Sequence, residues 1–157
     1  MRKFSTYAVA LLTSVSLQLY ADNAVNFQVA LSGDNEVPPV VTDTSGTAIF
    51  HINEDWTEIR FKLDVRDADN VLGAAGAHLH CAPAGQNGAV VVFLAGPFPP
   101  GYDGDIQLRG TLNDSNIINP ACGADIAELV DSMLAGNVYV NVHSMAVPSG
   151  VIRGQVQ

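Results

Sequence analysis

The segment Ile59-Arg60-Phe61-Lys62-Leu63-Asp64-Val65 alternates strictly between apolar and charged residues. An extended backbone points successive side chains to opposite faces, so it sorts such a run into one dry side and one wet side. Shorter runs repeat the theme. Phe27, Val29 and Leu31 share one face of residues 26–31, and residues 47–52 follow Gly46. Residues 77–80, 89–94, 106–112, 138–143 and 151–156 bring the predicted strands to about eight. Turn-forming clusters separate them, among them Ser32-Gly33-Asp34-Asn35, Asn53-Glu54-Asp55, Gln86-Asn87-Gly88 and Pro97-Phe98-Pro99-Pro100-Gly101. One stretch departs from the pattern: Ile126, Leu129, Val130, Met133 and Leu134 recur at helical spacing, and Gly136 is a natural stop. The expectation is an all-β, antiparallel Greek-key sandwich or barrel. It has one short helix, at 124–135, in a long connection.

The chain has 157 residues. Arg2 and Lys3 precede an uncharged, largely apolar run over 8–19, too short to span a bilayer comfortably but suited to the core of a signal peptide. Residues 1–21 are read as that peptide, with cleavage after Ala21 or as late as Ala24; a retained anchor is the alternative. The mature domain is then 25–157, and no other segment has a membrane-spanning pattern. It keeps five basic residues (Arg60, Lys62, Arg66, Arg109, Arg153) against 16 acidic ones, a net charge of −11. Such a surface repels nucleic acid and anionic lipid, and neither is expected as a partner. Export implies a periplasmic or secreted location. The two cysteines, Cys81 and Cys122, then read as one disulfide, with Cys81 as a metal ligand beside His80 the competing reading.

Three of the four histidines fall in strand-like segments, in Ala77-His78-Leu79-His80 and Tyr139-Val140-Asn141-Val142-His143. His78 and His80 share a strand face, with Cα atoms roughly 6.5–7 Å apart. Two imidazoles at that spacing converge on one ion at about 2.0–2.1 Å per ligand, and a third from another strand completes a His₃ site. His143 shares its face with Tyr139 and Asn141, opposite the valines. The alternative is three hydrogen-bonded polar-face histidines with no metal. Imidazole suits zinc, copper, nickel and iron, and copper(II) binds most tightly of the divalent series, so copper is the first expectation and zinc the second. Neither motif contains a carboxylate, which disfavours calcium or magnesium.

Other residues carry weaker readings. His51 is either an additional ligand, in the chain or at the contact of a homodimer, or a solvent-facing strand residue. Met145, two residues past His143, is a soft donor or a packing residue. Arg153, amid small and apolar residues, is expected to pair with a carboxylate inside the fold, or to guide an anion toward the metal. Asp34 and Glu36 in Gly33-Asp34-Asn35-Glu36-Val37-Pro38-Pro39-Val40 read as part of a stiff, solvated loop rather than a cation site. No nucleophile elbow, phosphate loop or Cys-x-x-Cys pair is present.

Together these segments resemble the CHRD domain, the module of the extracellular protein chordin. The residues are Leu31-Ser32-Gly33-Asp34-Asn35-Glu36-Val37-Pro38-Pro39-Val40, Gly46-Thr47-Ala48, Ala77-His78-Leu79-His80 and Gly85-Gln86-Asn87-Gly88 with the valines after it. Ala135-Gly136-Asn137-Val138-Tyr139-Val140-Asn141-Val142-His143 and Gly150-Val151-Ile152-Arg153-Gly154-Gln155 complete the match over nearly the whole mature chain. The resemblance implies an exported all-β module and carries the family motif onto His78, His80, His143 and Arg153. The chain departs from it in Cys81-Ala82, where glycine often follows the His-x-His, and in Val151, where an acidic residue is common. The histidine pattern is also similar to copper-zinc superoxide dismutase, a Greek-key barrel, although no bridging histidine or zinc loop is identifiable.

Two functions follow. One is an exported copper-binding protein, with or without redox activity toward a small oxidant such as superoxide or toward a redox partner. The other is an extracellular interaction module without metal chemistry.

Overall fold

The computed structural model describes residues 25–157, and the expected signal peptide lies outside them. Eight strands form two four-stranded antiparallel sheets. The first contains β1 (Asn26–Leu31), β2 (Ser45–Ile52), β3 (Ile59–Val71) and β6 (Tyr102–Leu112), in that order. The second has the order β5 (Ala89–Ala95), β4 (Ala77–Cys81), β7 (Val138–Val142), β8 (Ile152–Val156). The chain crosses between sheets after β3, β5 and β6, which makes β3–β6 and β4–β7 non-consecutive neighbours. β1 and β8 meet at one side through paired backbone bonds between Ser32 and Arg153, 3.1 and 3.0 Å long.

The alternating residues do what their spacing predicts. Phe27, Val29 and Leu31 from β1, Ala48, Phe50 and Ile52 from β2, and Ile59, Phe61, Leu63 and Val65 from β3 turn inward. They meet Ala77 and Leu79 of β4, the valines of β7, and Ile152 and Val156 of β8 in one apolar core. Each fully buried aliphatic or aromatic side chain contributes about 1.5–3 kcal/mol over leaving it in water. Two strands run further than the alternation predicted. β3 continues to Val71 and β6 begins at Tyr102, because register shifts near Ala68 keep them paired where the period of two breaks down.

The predicted helix is present as α1 (Ile126–Leu134). Asp125 caps it by accepting from the Glu128 amide, and Gly136, at φ +69°, supplies the left-handed residue that ends it. Ile126, Leu129, Val130 and Met133 are buried, whereas Leu134 faces solvent.

The sheets differ in one respect that positions the site. Residues of β1 and β3 alternate between buried and solvent-facing, but nearly every residue of β4, β7 and β8 is buried. Loops cover the second sheet's outer face and enclose a polar interior there. One is held at its root by the disulfide between Cys81 and Cys122, Cα atoms 5.5 Å apart, which settles the cysteines as a bridge rather than a ligand. Gly88 comes back over that strand so closely that a Cβ would stand 1.9 Å from the Cys81 carbonyl oxygen.

The bridge spans 41 residues of sequence. A loop of that length is expected to stabilise the fold by about 4 kcal/mol in the chain-entropy description. Replacing both cysteines by alanine should lower the denaturant midpoint by the corresponding amount, read by urea titration against the oxidised parent. A loss well under 1 kcal/mol would mean that the bridge restrains nothing the core does not already restrain.

Candidate metal centre

His78 and His80 lie two apart on β4 and point to the outer face of the second sheet, away from Leu79. The register sets Asn141 opposite His78 and Tyr139 opposite His80 on β7. His143 follows the last residue of β7, and its amide donates to the Gly76 carbonyl at 3.0 Å. The structure therefore brings together the three histidines expected to converge. One candidate ligand atom from each lies within 4.8 Å of the other two, and the residues are 3, 8 and 5% exposed for His78, His80 and His143.

Hydrogen bonds fix which nitrogens are free. The His80 Nδ1–H donates to the Gly88 carbonyl at 3.0 Å, and the His143 Nδ1–H to the Pro148 carbonyl at 2.9 Å. A carbonyl only accepts, so in each neutral ring Nδ1 bears the proton and Nε2 the lone pair. Nε2 of His143 lies 3.0 Å from Nδ1 of His78. Nε2 of His78 and Nε2 of His80 are buried with no partner. Two nitrogens bound to one ion at about 2.0–2.1 Å stand roughly 2.9–3.4 Å apart for angles between square and tetrahedral. With His78 binding through Nδ1, its 3.0 Å contact with His143 Nε2 already meets that separation, while the widest pair needs to close by roughly an ångström or more. Backbone carbonyls on the far ring nitrogens are the usual means of fixing the tautomer and orientation of a ligand histidine. The donor set thus fits a soft or borderline ion that accepts three imidazoles.

The rings are held neutral. Burial lowers the His78 pKa to about 4, and the adjacent His143 and His80 push it the same way, against a smaller opposing effect from the Ala75 carbonyl. His80 and His143 are lowered chiefly by burial as well, partly offset by their carbonyl acceptors. Neutral imidazole is the form that binds a metal.

The neighbours extend across the sheet. Phe93 meets the edge of His78 at 4.5 Å between ring centres. Tyr139 stacks on His80 at 4.7 Å and 11°. On Tyr139 also lies Arg153, its guanidinium carbon 3.4 Å from the ring centre, with Nη1 donating to Asn87 Oδ1 and Nη2 to the Gln86 carbonyl. This corrects the expectation of a carboxylate partner for Arg153: the described ion pairs do not include it, and an aromatic face and two loop oxygens hold the guanidinium instead. Glu36 is also corrected from solvated to buried. It is 6% exposed and accepts from the Asn141 amide, and Gly150 makes room, since a Cβ there would stand 2.7 Å from Glu36 Oε1. A cleft of about 490 Å³ opens beside Arg153, lined by Asn35, Glu36 and Gln155 among others and by none of the histidines.

The structure does not bring His51 to this centre. It lies exposed on β2, in the other sheet, hydrogen-bonded to Asn26. Met145 is 52% exposed, and its thioether flanks Gly73. The carbonyls of Gly88 and Pro148 and the stacked Tyr139 were not identified from the sequence as orienting groups. Asn87-Gly88 marks a turn, but nothing in it says that the turn folds back over the histidines.

The class so defined is a disulfide-bridged antiparallel β-sandwich with a buried histidine triad on the outer face of one sheet. The family model for the CHRD domain matches residues 27–156, so the chain belongs to the CHRD family. No curated protein and no solved structure matches the chain significantly. Among the described residues no helix is long and apolar enough to cross a membrane.

Glu36 yields a pH dependence. Burial raises its pKa from 4.5 to about 7, with the Asn141 hydrogen bond and the Arg153 charge pulling the other way. The folded state therefore retains a proton that the unfolded chain gives up, and stability falls as pH rises from about 4.5 through 7. The histidines act in the opposite sense, costing stability as pH falls below their unfolded value of 6.5. Glu36→Gln should gain stability relative to the metal-free parent as pH rises from 5 to 8, read as the difference between the two urea midpoints across pH. A constant difference would show that the Glu36 carboxyl is ionised throughout.

Proposed function

We propose that this chain is an exported binding module whose histidine triad holds one copper ion through His78, His80 and His143, with zinc the second choice. The observation that carries this reading is the convergence of three buried rings, one candidate ligand atom from each within 4.8 Å of the others, with the His80 Nε2 buried and partnerless beside the contact between His78 Nδ1 and His143 Nε2. Lone pairs buried without a donor are costly, and an ion satisfies them. The sequence supports export through its basic, then apolar first residues and its cysteine pair, and the family resemblance supports it independently.

The electrostatics favour copper held in its monovalent state. The triad contains no carboxylate, and the Arg153 guanidinium stands on Tyr139, whose other neighbour is His80. Burying charge in such surroundings costs more for a dication than for a monocation. Zinc has only the divalent state, whereas copper has both. The near-complete burial of all three rings favours retaining the ion over turning over a small oxidant at it. Binding and sequestration or delivery are therefore favoured over dismutase activity.

A second reading, an interaction module without metal, draws on family membership and on the His78 Nδ1–H to His143 Nε2 hydrogen bond that neutral rings form by themselves. Titration of the mature protein with copper(I) against a chromogenic chelator, and with copper(II) followed by electron paramagnetic resonance, separates the two. One ion per chain, nitrogen hyperfine structure from the copper(II) form, and tighter copper(I) than zinc binding are expected. His80→Ala and His143→Ala should each weaken binding by about 100-fold or more, a loss of at least about 2.7 kcal/mol, while His51→Ala changes nothing. Unchanged binding in both triad variants, or no binding by the parent, would leave the interaction module standing.

A further inference from the structure

β6 is the last strand of the first sheet, and among the described residues its outer edge has no neighbouring strand. An open edge is a template for another strand unless something covers it. Two features of β6 are incomplete within one chain. The first is apolar. Ile106 and Leu108 face the core yet remain only partly buried, whereas Val65 and Leu63, their partners on β3, are fully covered. The second is electrostatic. Arg109 stands directly opposite Lys62, a like-charge pair that opposes the pairing of the strands. Lys62 has Asp64 at 2.6 Å, but Arg109 donates only to Gln107 Oε1, and the described ion pairs do not include it.

We propose that β6 pairs antiparallel with β6 of a second copy of this chain, about a two-fold axis through Gln107. The register follows from the sequence Gly104-Asp105-Ile106-Gln107-Leu108-Arg109-Gly110, which is complementary to itself when reversed. Asp105 of each copy faces Arg109 of the other, which gives Arg109 its missing carboxylate. Asp105 already binds Arg66 within its own chain and then lies between two cations. Ile106 of each copy faces Leu108 of the other, covering the two half-exposed side chains from the open side. Gly104 faces Gly110, and Gln107 faces its own counterpart. Slipping the register by two residues in one direction puts Asp105 opposite Thr111 and loses both ion pairs, and slipping it in the other puts Arg109 opposite Asp103, beyond the irregular Gly104 at φ +78°, where the Asp103 carboxylate already accepts from the Asn70 amide.

The two first sheets become one continuous eight-stranded sheet. The isologous contact closes on itself, so it stops at the dimer. Gly104, at φ +78°, and the register shifts beside Ala68 end the regular stretch on one side, so the contact is short and the association concentration-dependent. The histidine triad belongs to the other sheet, and the dimer neither needs nor covers it. His51, on β2, is separated from the open edge by β3 and takes no part.

Sedimentation velocity of the mature, metal-free protein tests this at about 0.15 M salt, where charges beyond about 8 Å are screened. The parent should pass from monomer to dimer as its concentration rises toward about 0.5 mM. Asp105→Arg and Arg109→Asp should each weaken the dimer by about tenfold or more, and the double exchange should recover most of the loss because it restores both pairs in reverse. Circular dichroism and melting confirm that each variant is folded. Gln107→Cys places a thiol on the two-fold axis and should cross-link to itself under mild diamide oxidation much faster than Thr111→Cys. A parent that stays monomeric throughout, single exchanges that leave the dimer unchanged, or equal cross-linking at 107 and 111 would each overturn the proposal.

Discussion

Arg153 is held in place from several directions at once. Its backbone ties β8 to Ser32, its carbonyl accepts from Asn35, its guanidinium lies on Tyr139, and its Nη atoms take the Asn87 side chain and the Gln86 carbonyl. A buried guanidinium left without partners would be strongly destabilising, so the fold is obliged to bring oxygens and an aromatic face to it. Meeting that obligation draws the 82–88 loop over the second sheet. Once there, the loop presents the Gly88 carbonyl to His80 and the Gly88 amide to the Tyr139 hydroxyl at 3.2 Å. The closure of the outer face, the orientation of one candidate ligand and the position of the stacked ring are thus linked to one cation.

The sandwich was legible because its cause is local. Alternation in 26–31 and 59–65 needs only the period of an extended chain, and the heptad-like spacing of Ile126, Leu129, Val130 and Met133 needs only that of a helix. The convergence of His78, His80 and His143 was legible for a related reason. Polar residues on the face opposite the valines of β7 had to share a side with one another, and the register then aligned them with β4. What could not be read was that this side is dry. Val-Tyr-Val-Asn-Val is indistinguishable from a strand with one wet face until the segments carrying Glu36, Gly88 and Pro148 are known to lie over it. For that reason Glu36 was expected in solvent and is buried, and Arg153 was expected to meet a carboxylate but stacks on a ring.

The enclosed face also sets the chemistry available to the triad. In water three imidazoles near neutrality exchange protons with ease, and their lone pairs are always solvated. Behind the loops, the charged ring is penalised, two lone pairs lack donors, and the positively charged neighbour stands beyond an aromatic ring rather than in contact. As a metal site, such a pocket would discriminate by charge as much as by ligand type. On the proposed copper reading, a proton or a dication would be accommodated with no carboxylate among the three ligands, whereas a soft monocation would gain three nitrogen donors at lower desolvation cost.

The two sheets divide the labour along the same physical line. The second sheet spends its outer face on a buried polar interior and is shielded by loops, so little of it is left for a partner. The first sheet keeps its outer face wet and carries Lys62, Asp64, Arg66, Asp105, Gln107 and Arg109 as a lattice of exposed and half-buried polar side chains beside an open edge. Charged residues and a bulge on an edge normally discourage promiscuous pairing. In the proposed dimer the same charges meet their complements on a reversed copy of the strand itself. On that proposal, protection of the edge against unrelated strands and selectivity for its own copy would come from the same residues.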